Sequence, residues 1–308
     1  MALLAKLNLR APLHVGSSTI GEEDTHDYVP SDTLFSALCH AYLGLFGREA
    51  LEALLERFSE DPPFLISSAF PFCGETLFLP APRVSPPPRA EQEERGAKKR
   101  LKGAPWLSLE DFSRVLGGGD VGGGGTETGR LLPRKELLPR VALDRRTSAS
   151  SIYHVRRAVF PEGGGLWALL DVRDASLEDA IVAALRLLGD MGIGGERTMG
   201  CGHFDLETGP LPELLARHLR GAAPYVALSR VCPEPDEAGS AERYALVESK
   251  GWLLSPTGAQ LKRRSVWFFA EGSSFGDKVR GRLVDVTPRY GPGHRVYRYG
   301  CGVYLGAA

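Results

Sequence analysis

The sequence predicts an α+β fold: a ferredoxin-like (RRM-like) N-terminal unit over residues 1–209 and a degenerate second ferredoxin-like half over 210–308. Three observations lead there. Hydrophobic periodicity runs strand, helix, strand, strand, insertion, strand, helix, glycine loop, strand, whose core is the β-α-β-β-α-β order. The patterning fails inside an insertion at about 80–165, which ends in a β-hairpin. Finally, Gly200-Cys201-Gly202 near the end of the first unit is echoed by Gly300-Cys301-Gly302 near the end of the chain, as a duplicated half would produce.

Taken in order, residues 2–9 alternate around Leu4, Lys6, Leu7 and Leu9 and form the first strand. Ser31 is a favourable N-cap, and Asp32 suits the positive end of the helix dipole. Leu34, Leu38, Ala41 and Leu45 follow at helical spacing, Gly47 ends the helix, and a second helical piece spans 49–58. Residues 64–70 and 76–79 read as strands joined in a hairpin around Cys73-Gly74. From 80 to about 140 the signal is lost in Ser85-Pro86-Pro87-Pro88, the basic Lys98-Lys99-Arg100 and seven glycines among the nine residues 117–125. Residues 141–160 form a hairpin with Arg145 and Arg146 on one arm and Arg156 and Arg157 on the other. A strand over 166–172 precedes Ser176-Leu177-Glu178-Asp179, a capping box that opens a helix with Ile181, Ala184, Leu185 and Leu188 on one face. Gly189 closes that helix and a strand over 201–206 completes the unit. The second half has a short helix over 211–219 and strands near 225–230, 243–247, 266–269, 283–286 and 295–299, with no second long amphipathic helix.

Composition narrows the function. A chain of 308 residues with 43% hydrophobic and 24% charged residues is that of a globular protein with one large core or two ordinary ones. Apolar runs such as 166–170 are too short to span a bilayer, and the N-terminus has no charged n-region, so neither membrane span nor signal peptide is expected. Five widely spaced cysteines without Cys-x-x-Cys argue for a reducing cytoplasm and against a disulfide framework or zinc. Net charge is −1 but segregated: residues 1–82 hold 4 Lys and Arg against 11 Asp and Glu, whereas 83–160 hold 16 against 9. Cations gather again between Lys262 and Arg298, 9 against 3. A neutral chain patterned this way can turn a basic face to phosphate.

The stretch Met191-Gly192-Ile193-Gly194-Gly195-Glu196-Arg197-Thr198-Met199-Gly200-Cys201-Gly202 carries five glycines and one strong cation. Such a loop can aim main-chain N–H groups at phosphate with an arginine to pair the charge, or simply make a tight helix-to-strand connection. Enzyme signatures are missing. Neither Gly192-x-Gly194 nor Gly200-x-Gly202 completes a dinucleotide fingerprint, and there is no Walker loop, His-Glu-x-x-His or Gly-x-Ser-x-Gly. His14 or His26 as a base for RNA cleavage is an alternative, without evident partners. The hairpin fits RNA better: Arg145, Arg146, Arg156 and Arg157 can neutralise phosphates, and Tyr153 can stack on a base. Lys262, Arg263, Arg264, Arg280 and Arg282 either extend that groove or are plain surface.

The residues that follow the first strand, His14-Val15-Gly16 and then Ser31-Asp32-Thr33-Leu34-Phe35-Ser36-Ala37-Leu38, resemble the RAMP superfamily of type III-A CRISPR systems. Gly194-Gly195-Glu196-Arg197-Thr198-Met199-Gly200-Cys201-Gly202 is similar to that superfamily's glycine-rich loop, and Leu143-Asp144-Arg145-Arg146-Thr147 fits its hairpin. Within it the chain looks like the guide-capping group, the Cas-five-like fourth subunits of Csm effector complexes. The resemblance implies a non-catalytic subunit that holds the 5′ repeat-derived tag of the CRISPR RNA. It also implies docking to the large polymerase-like subunit and a backbone RAMP subunit, with no metal or cofactor. Carried over by motif, the tag contacts fall on His14, Gly16, Ser17, Ser18, Gly192, Gly194, Gly195, Arg197, Gly200, Gly202 and the hairpin arginines. A CRISPR-RNA-processing endoribonuclease and a pure assembly scaffold are the alternatives. The long insertion departs from the family pattern.

Overall fold

The computed structural model describes residues 1–16, 23–84, 105–121, 129–253, 261–290 and 293–308. Its frame is a seven-stranded antiparallel sheet in which β1 (Ala2–Leu9) is next to one edge; β1 buries Leu4 and Leu7 as the alternation marks, but also Leu3 and Ala5, whereas Leu9 is half-buried, because strands pair on both sides of it. β1 lies between β8 (Gly164–Val172) and β9 (Phe204–Pro210), with Ala5 opposite Ala168 on one side and Thr208 on the other. Beyond β8 come β2 (Phe64–Ile66) and β3 (Phe70–Cys73), both paired with β8, and then β4 (Thr76–Pro80) and β5 (Trp106–Ser108) at the edge.

The strand expected over 64–70 is broken at Ser67-Ser68-Ala69, because these backbones are drawn into other work. Ser68 N–H donates to the Leu228 carbonyl and Ala69 pairs with Val29. The hairpin at Cys73-Gly74 forms as expected. The insertion is more ordered than its composition suggests: β5 and α2 (Leu109–Leu116) bury Trp106, Leu107, Leu109 and Phe112 against the sheet's edge. Ser108 caps α2 by accepting the Asp111 N–H. The Pro-rich run, Lys98-Lys99-Arg100 and part of the glycine run lie outside the described residues.

Two helices cover one face. α1 (Ser31–Glu60) is two helical pieces joined at Gly47, whose φ of 81° makes the kink. Ser31 is not its cap. Pro30 occupies that position, and the Ser31 hydroxyl instead accepts the Arg230 N–H. α3 (Glu178–Met191) buries Ile181, Ala184, Leu185 and Leu188 as the spacing predicts. The expected capping box does not form: α3 has no side-chain cap, and it is preceded by a 3-10 turn (Ala175–Leu177) that Asp174 caps by accepting from Ser176. Gly189 does not end α3 but sits inside it, where a Cβ would come within 2.3 Å of the Phe204 carbonyl oxygen, so this glycine brings helix and β9 together. Gly192 is the stop, with φ 76° and its N–H on the Leu188 carbonyl.

After α4 (Glu213–Leu219), a four-stranded sheet forms from β10 (Ala222–Ala227), β11 (Ala241–Arg243), β14 (Ser274–Phe275) and β17 (Tyr304–Ala307). Two ribbons flank it: β12 (Leu246–Ser249) with β13 (Val266–Phe269), and β15 (Gly281–Asp285) with β16 (Tyr297–Cys301). No α-helix follows α4 among the described residues. The two halves share one core. Tyr299 of β16 stacks on Phe35 of α1 at 4.9 Å, and its hydroxyl accepts the Ile66 N–H. Val226, Leu228, Val303 and Leu305 join the same cluster. Burying each side chain of this size contributes roughly 1.5–3 kcal/mol, so the contact between halves is a principal source of stability. Among the described residues no helix is long and apolar enough to cross a membrane, and all five cysteines are free.

Candidate nucleic-acid interface

Three stretches far apart in sequence meet at the end of β1. The segment 12–15 leaves β1 and runs between the glycine loop and the base of a long hairpin, β6 (Arg134–Leu143) with β7 (Ser150–Val159). Leu13 bridges to Ala158 of β7 in both directions, at 2.8 and 2.7 Å. On the other side Gly195 N–H donates to the His14 carbonyl at 2.8 Å, and Gly202 N–H to the Pro12 carbonyl at 2.9 Å.

These contacts set the chemistry of the loop. A Cβ on Gly194 would lie 2.2 Å from the His14 carbonyl oxygen, and one on Gly202 would lie 2.0 Å from the Ile193 carbonyl oxygen. Both glycines have left-handed φ, 91° and 77°, so they are required by close backbone approach as well as by conformation. Most of the loop's N–H groups are committed to carbonyls, those of Gly192, Ile193, Gly195, Met199, Gly200, Cys201 and Gly202 included. Gly192 and Gly202 are buried in its base, whereas Gly200 is exposed. The loop is therefore a built platform, and its handle is the half-buried Arg197, which opens a short 3-10 turn (Arg197–Met199) and makes no ion pair or hydrogen bond through its guanidinium among the described residues. His14 is likewise structural in position: it is buried, and its Nδ1 lies 2.6 Å from the Arg156 carbonyl oxygen, to which it must donate. Gly16 opens onto the cavity described below, and Ser17 and Ser18 lie outside the described residues.

The hairpin differs from the arginine-lined ribbon that the sequence suggests. Its first arm begins at Arg134 rather than near 141. Arg156 donates to the Glu23 carbonyl and Arg157 pairs with Glu136 at 3.2 Å, so both are occupied. Arg145 and Arg146 stand exposed at the tip without an ion pair among the described residues, on a turn where the Asp144 carboxylate accepts the Arg146 and Thr147 N–H groups. Those two hydrogen bonds hold the Asp144 carboxyl below its usual range. One face is apolar and exposed: Val141 pairs with Ile152, and Leu143 and Ile152 are each 69% exposed. The hairpin is an apolar blade with a basic tip.

Below the glycine loop opens a cleft of about 1420 Å3 between α1, α3 and the C-terminal half. Seven Lys and Arg line it against three glutamates, which makes it electropositive. Its histidines register that field: His26 is pushed down to about 4 by burial and then by Arg230, and His40 is lowered by burial and then by Arg197, His294 and Arg263. Behind the wall lies Asp32, wholly buried. Its Oδ1 is 3.2 Å from Arg230 Nη1 and its Oδ2 is 3.2 Å from Arg298 Nη1, and Oδ2 also accepts from Ser249 at 2.7 Å. Burial opposes its ionisation, but the two guanidiniums outweigh it and hold the carboxyl at about 2. Arg230 reaches on to Glu271 at 3.7 Å, which also accepts from Ser68 and Tyr28. This network joins the start of α1 to four separate segments of the C-terminal half, at Arg230, Ser249, Glu271 and Arg298. The sequence alone assigns Asp32 only to the positive end of the helix dipole. The signal it lacked was a partner, since Arg230 and Arg298 are 198 and 266 residues away.

The sheet, its two covering helices, the glycine loop and the projecting hairpin define a class, and residues 6–205 match the RAMP superfamily. Residues 221–307 match the CRISPR Csm4 C-terminal domain. A relative from Thermococcus onnurineus (strain NA1), "CRISPR system Cms protein Csm4", is 30% identical over 96% of this chain and 97% of its own. The counterpart from Mycobacterium tuberculosis (strain CDC 1551 / Oshkosh) is 27% identical over 92% of each. The chain belongs to the Csm4 family. Among solved structures, Csm4 in a Csm1-Csm4 cassette with cA4 superimposes with a TM-score of 0.67 at 24% identity, covering 100% of this chain and 98% of that one. A chain of a Csm3-Csm4 subcomplex of the type III-A CRISPR-Cas interference complex gives 0.68 at 17% identity, covering 99% of each.

Proposed function

We propose that this protein is the guide-capping subunit of a type III-A CRISPR effector complex. It holds the 5′ repeat-derived tag of the CRISPR RNA along the basic cleft, with Arg197 of the glycine loop as a phosphate contact and the hairpin tip, Arg145 and Arg146, reaching the strand beyond. Gly16, Gly194 and Gly195 line the path, and His14, Arg156, Arg157, Gly192, Gly200 and Gly202 shape it. The observation that carries the reading is the cleft itself: a cavity rich in cations, between two halves, with the Arg197 guanidinium at its mouth. Docking to a large polymerase-like subunit and to a backbone RAMP subunit is supported by the Csm1-Csm4 and Csm3-Csm4 assemblies that its structural neighbours form. The N-terminal unit over 1–209 is ferredoxin-like in this reading, supported by the order β9-β1-β8-β3, in which the fourth strand lies beside the first and the third beside the second. The 210–308 unit is a degenerate second copy that shares its core with the first.

The subunit does no chemistry of its own. A histidine held near 4, as His26 is, makes a weak base at neutral pH, and His14 is spent on a carbonyl. The test is binding of a tag-bearing RNA by the full chain across a salt series. The expected result is tighter binding than for an untagged RNA, with log K falling linearly in log salt. Arg197→Ala should weaken it about tenfold and flatten the slope by about 0.7. Equal binding of both RNAs, or specific cleavage lost in His14→Ala or His26→Ala, contradicts the reading.

A further inference from the structure

The wall of the cleft formed by the C-terminal half holds more positive charge than its acids can pair. Arg230 and Arg298 share Asp32, and Arg230 also faces Glu271. Both Asp32 oxygens are then filled, Oδ1 by Arg230 and Oδ2 by Arg298 and Ser249. Arg263 stands beside them with no carboxylate within pairing distance among the described residues, and its Nε is a buried donor without a partner there. A buried donor left unpaired costs free energy, more so when charged. Burial, and after it the Arg298 charge, push the Arg263 guanidinium down to about 10 against a smaller opposing pull from Asp32, so it stays charged near neutrality without an ion pair of its own among the described residues.

Its position is built, not incidental. Arg263 is the middle residue of Lys262-Arg263-Arg264. The outer two are exposed and occupied, Lys262 over the Trp252 ring and Arg264 on Asp285. Arg263 alone turns into the cavity. Its N–H donates to the Gly251 carbonyl at 3.1 Å, and its Nη2 lies 3.2 Å from where a Cβ on Gly251 would stand, so the guanidinium packs back over that turn. Arg197 enters the same cavity from the glycine loop, and His40 feels both charges.

We propose that Arg263 is a second phosphate seat of the cleft, in addition to Arg197, and that it takes one phosphodiester of the bound single strand. The Asp32 cluster neutralises its neighbours and holds them in place, leaving Arg263 as the charge available to the ligand. This rests on the reading that a strand lies in the cleft. An anion there supplies the countercharge that Arg263 lacks, and the two guanidiniums lining the cleft fix the strand by charge-assisted hydrogen bonds.

The test uses the full chain with a tag-bearing RNA and with the same RNA carrying one neutral methylphosphonate linkage at each position in turn. Arg263→Met, which keeps the aliphatic bulk, should weaken binding about tenfold and flatten the salt slope by about 0.7, and Arg263→Lys should restore part of the slope. One methylphosphonate position should reproduce the loss in the wild type and add nothing in Arg263→Met. The RNA-free variant should melt at or above the wild-type temperature, because an unpaired buried charge has been removed. Wild type that binds tag RNA, with Arg263→Met matching it in affinity and slope, overturns the seat alone. Wild type with no preference for the tag overturns the reading of the cleft and the seat with it. Arg263→Met that melts lower and binds RNA unchanged marks a structural arginine.

Discussion

Asp32 decides how the two halves meet, because it is the carboxylate on which Arg230 and Arg298 converge. Removing one partner from such a cluster leaves uncompensated buried charge, so Asp32→Asn should destabilise the protein by about 3–5 kcal/mol. Its folded carboxyl sits at about 2 against an ordinary 3.8, so its stabilisation is complete above 3.8 and is lost as pH falls towards 2. His26 acts in a higher window. Its folded value near 4, against an ordinary 6.5, means that the unfolded chain binds the proton first, so stability falls as pH drops from about 6.5 to 4. Urea melts at pH 7, 5 and 3 should show both losses. His26→Asn should shrink the first and leave the second. A wild-type stability flat from pH 7 to 4 contradicts the assignment.

At the scale of elements, the glycine loop and the hairpin are positioned by backbone and not by charge. Gly194→Ala and Gly202→Ala should each lower the melting temperature sharply, since a Cβ would meet a carbonyl oxygen at 2.2 and 2.0 Å. Gly200→Ala, with open space around its Cβ and only a φ of 84° to disfavour it, should cost about 1 kcal/mol. Equal melting temperatures for the three variants would count against the packing described. Elements with a strong period were legible from the sequence. β1 runs over the residues its alternation marks, and α3 buries Ile181, Ala184, Leu185 and Leu188. β5 and α2 were not, because their few apolar residues lie between Pro-rich and Gly-rich runs that carry no period of their own. On the hairpin, arginine spacing was visible but not Glu23 and Glu136, whose contacts occupy Arg156 and Arg157.

On the scale of the whole molecule, the first strand, the segment 12–15, the glycine loop and the hairpin base are stitched into one rim, and the C-terminal half closes the cleft below it. The three stretches that the sequence singled out do come together at that rim. What the sequence could not display was the cleft, since its walls belong to both halves and its cations are scattered from Arg48 to Arg298. Nor could it show the shared core, which depends on Tyr299 meeting Phe35 and Phe58. In the proposed complex a single RNA strand lies in this cleft with its tag towards the glycine loop. Site-specific photocrosslinking of the 5′ tag in the assembled effector complex tests it most directly. Crosslinks are expected from tag nucleotides to peptides containing Arg197 and Arg263, and from the nucleotides just beyond the tag to the hairpin tip at Arg145 and Arg146. Tag crosslinks confined to other subunits, with none on these peptides, would contradict it and leave this chain an assembly scaffold.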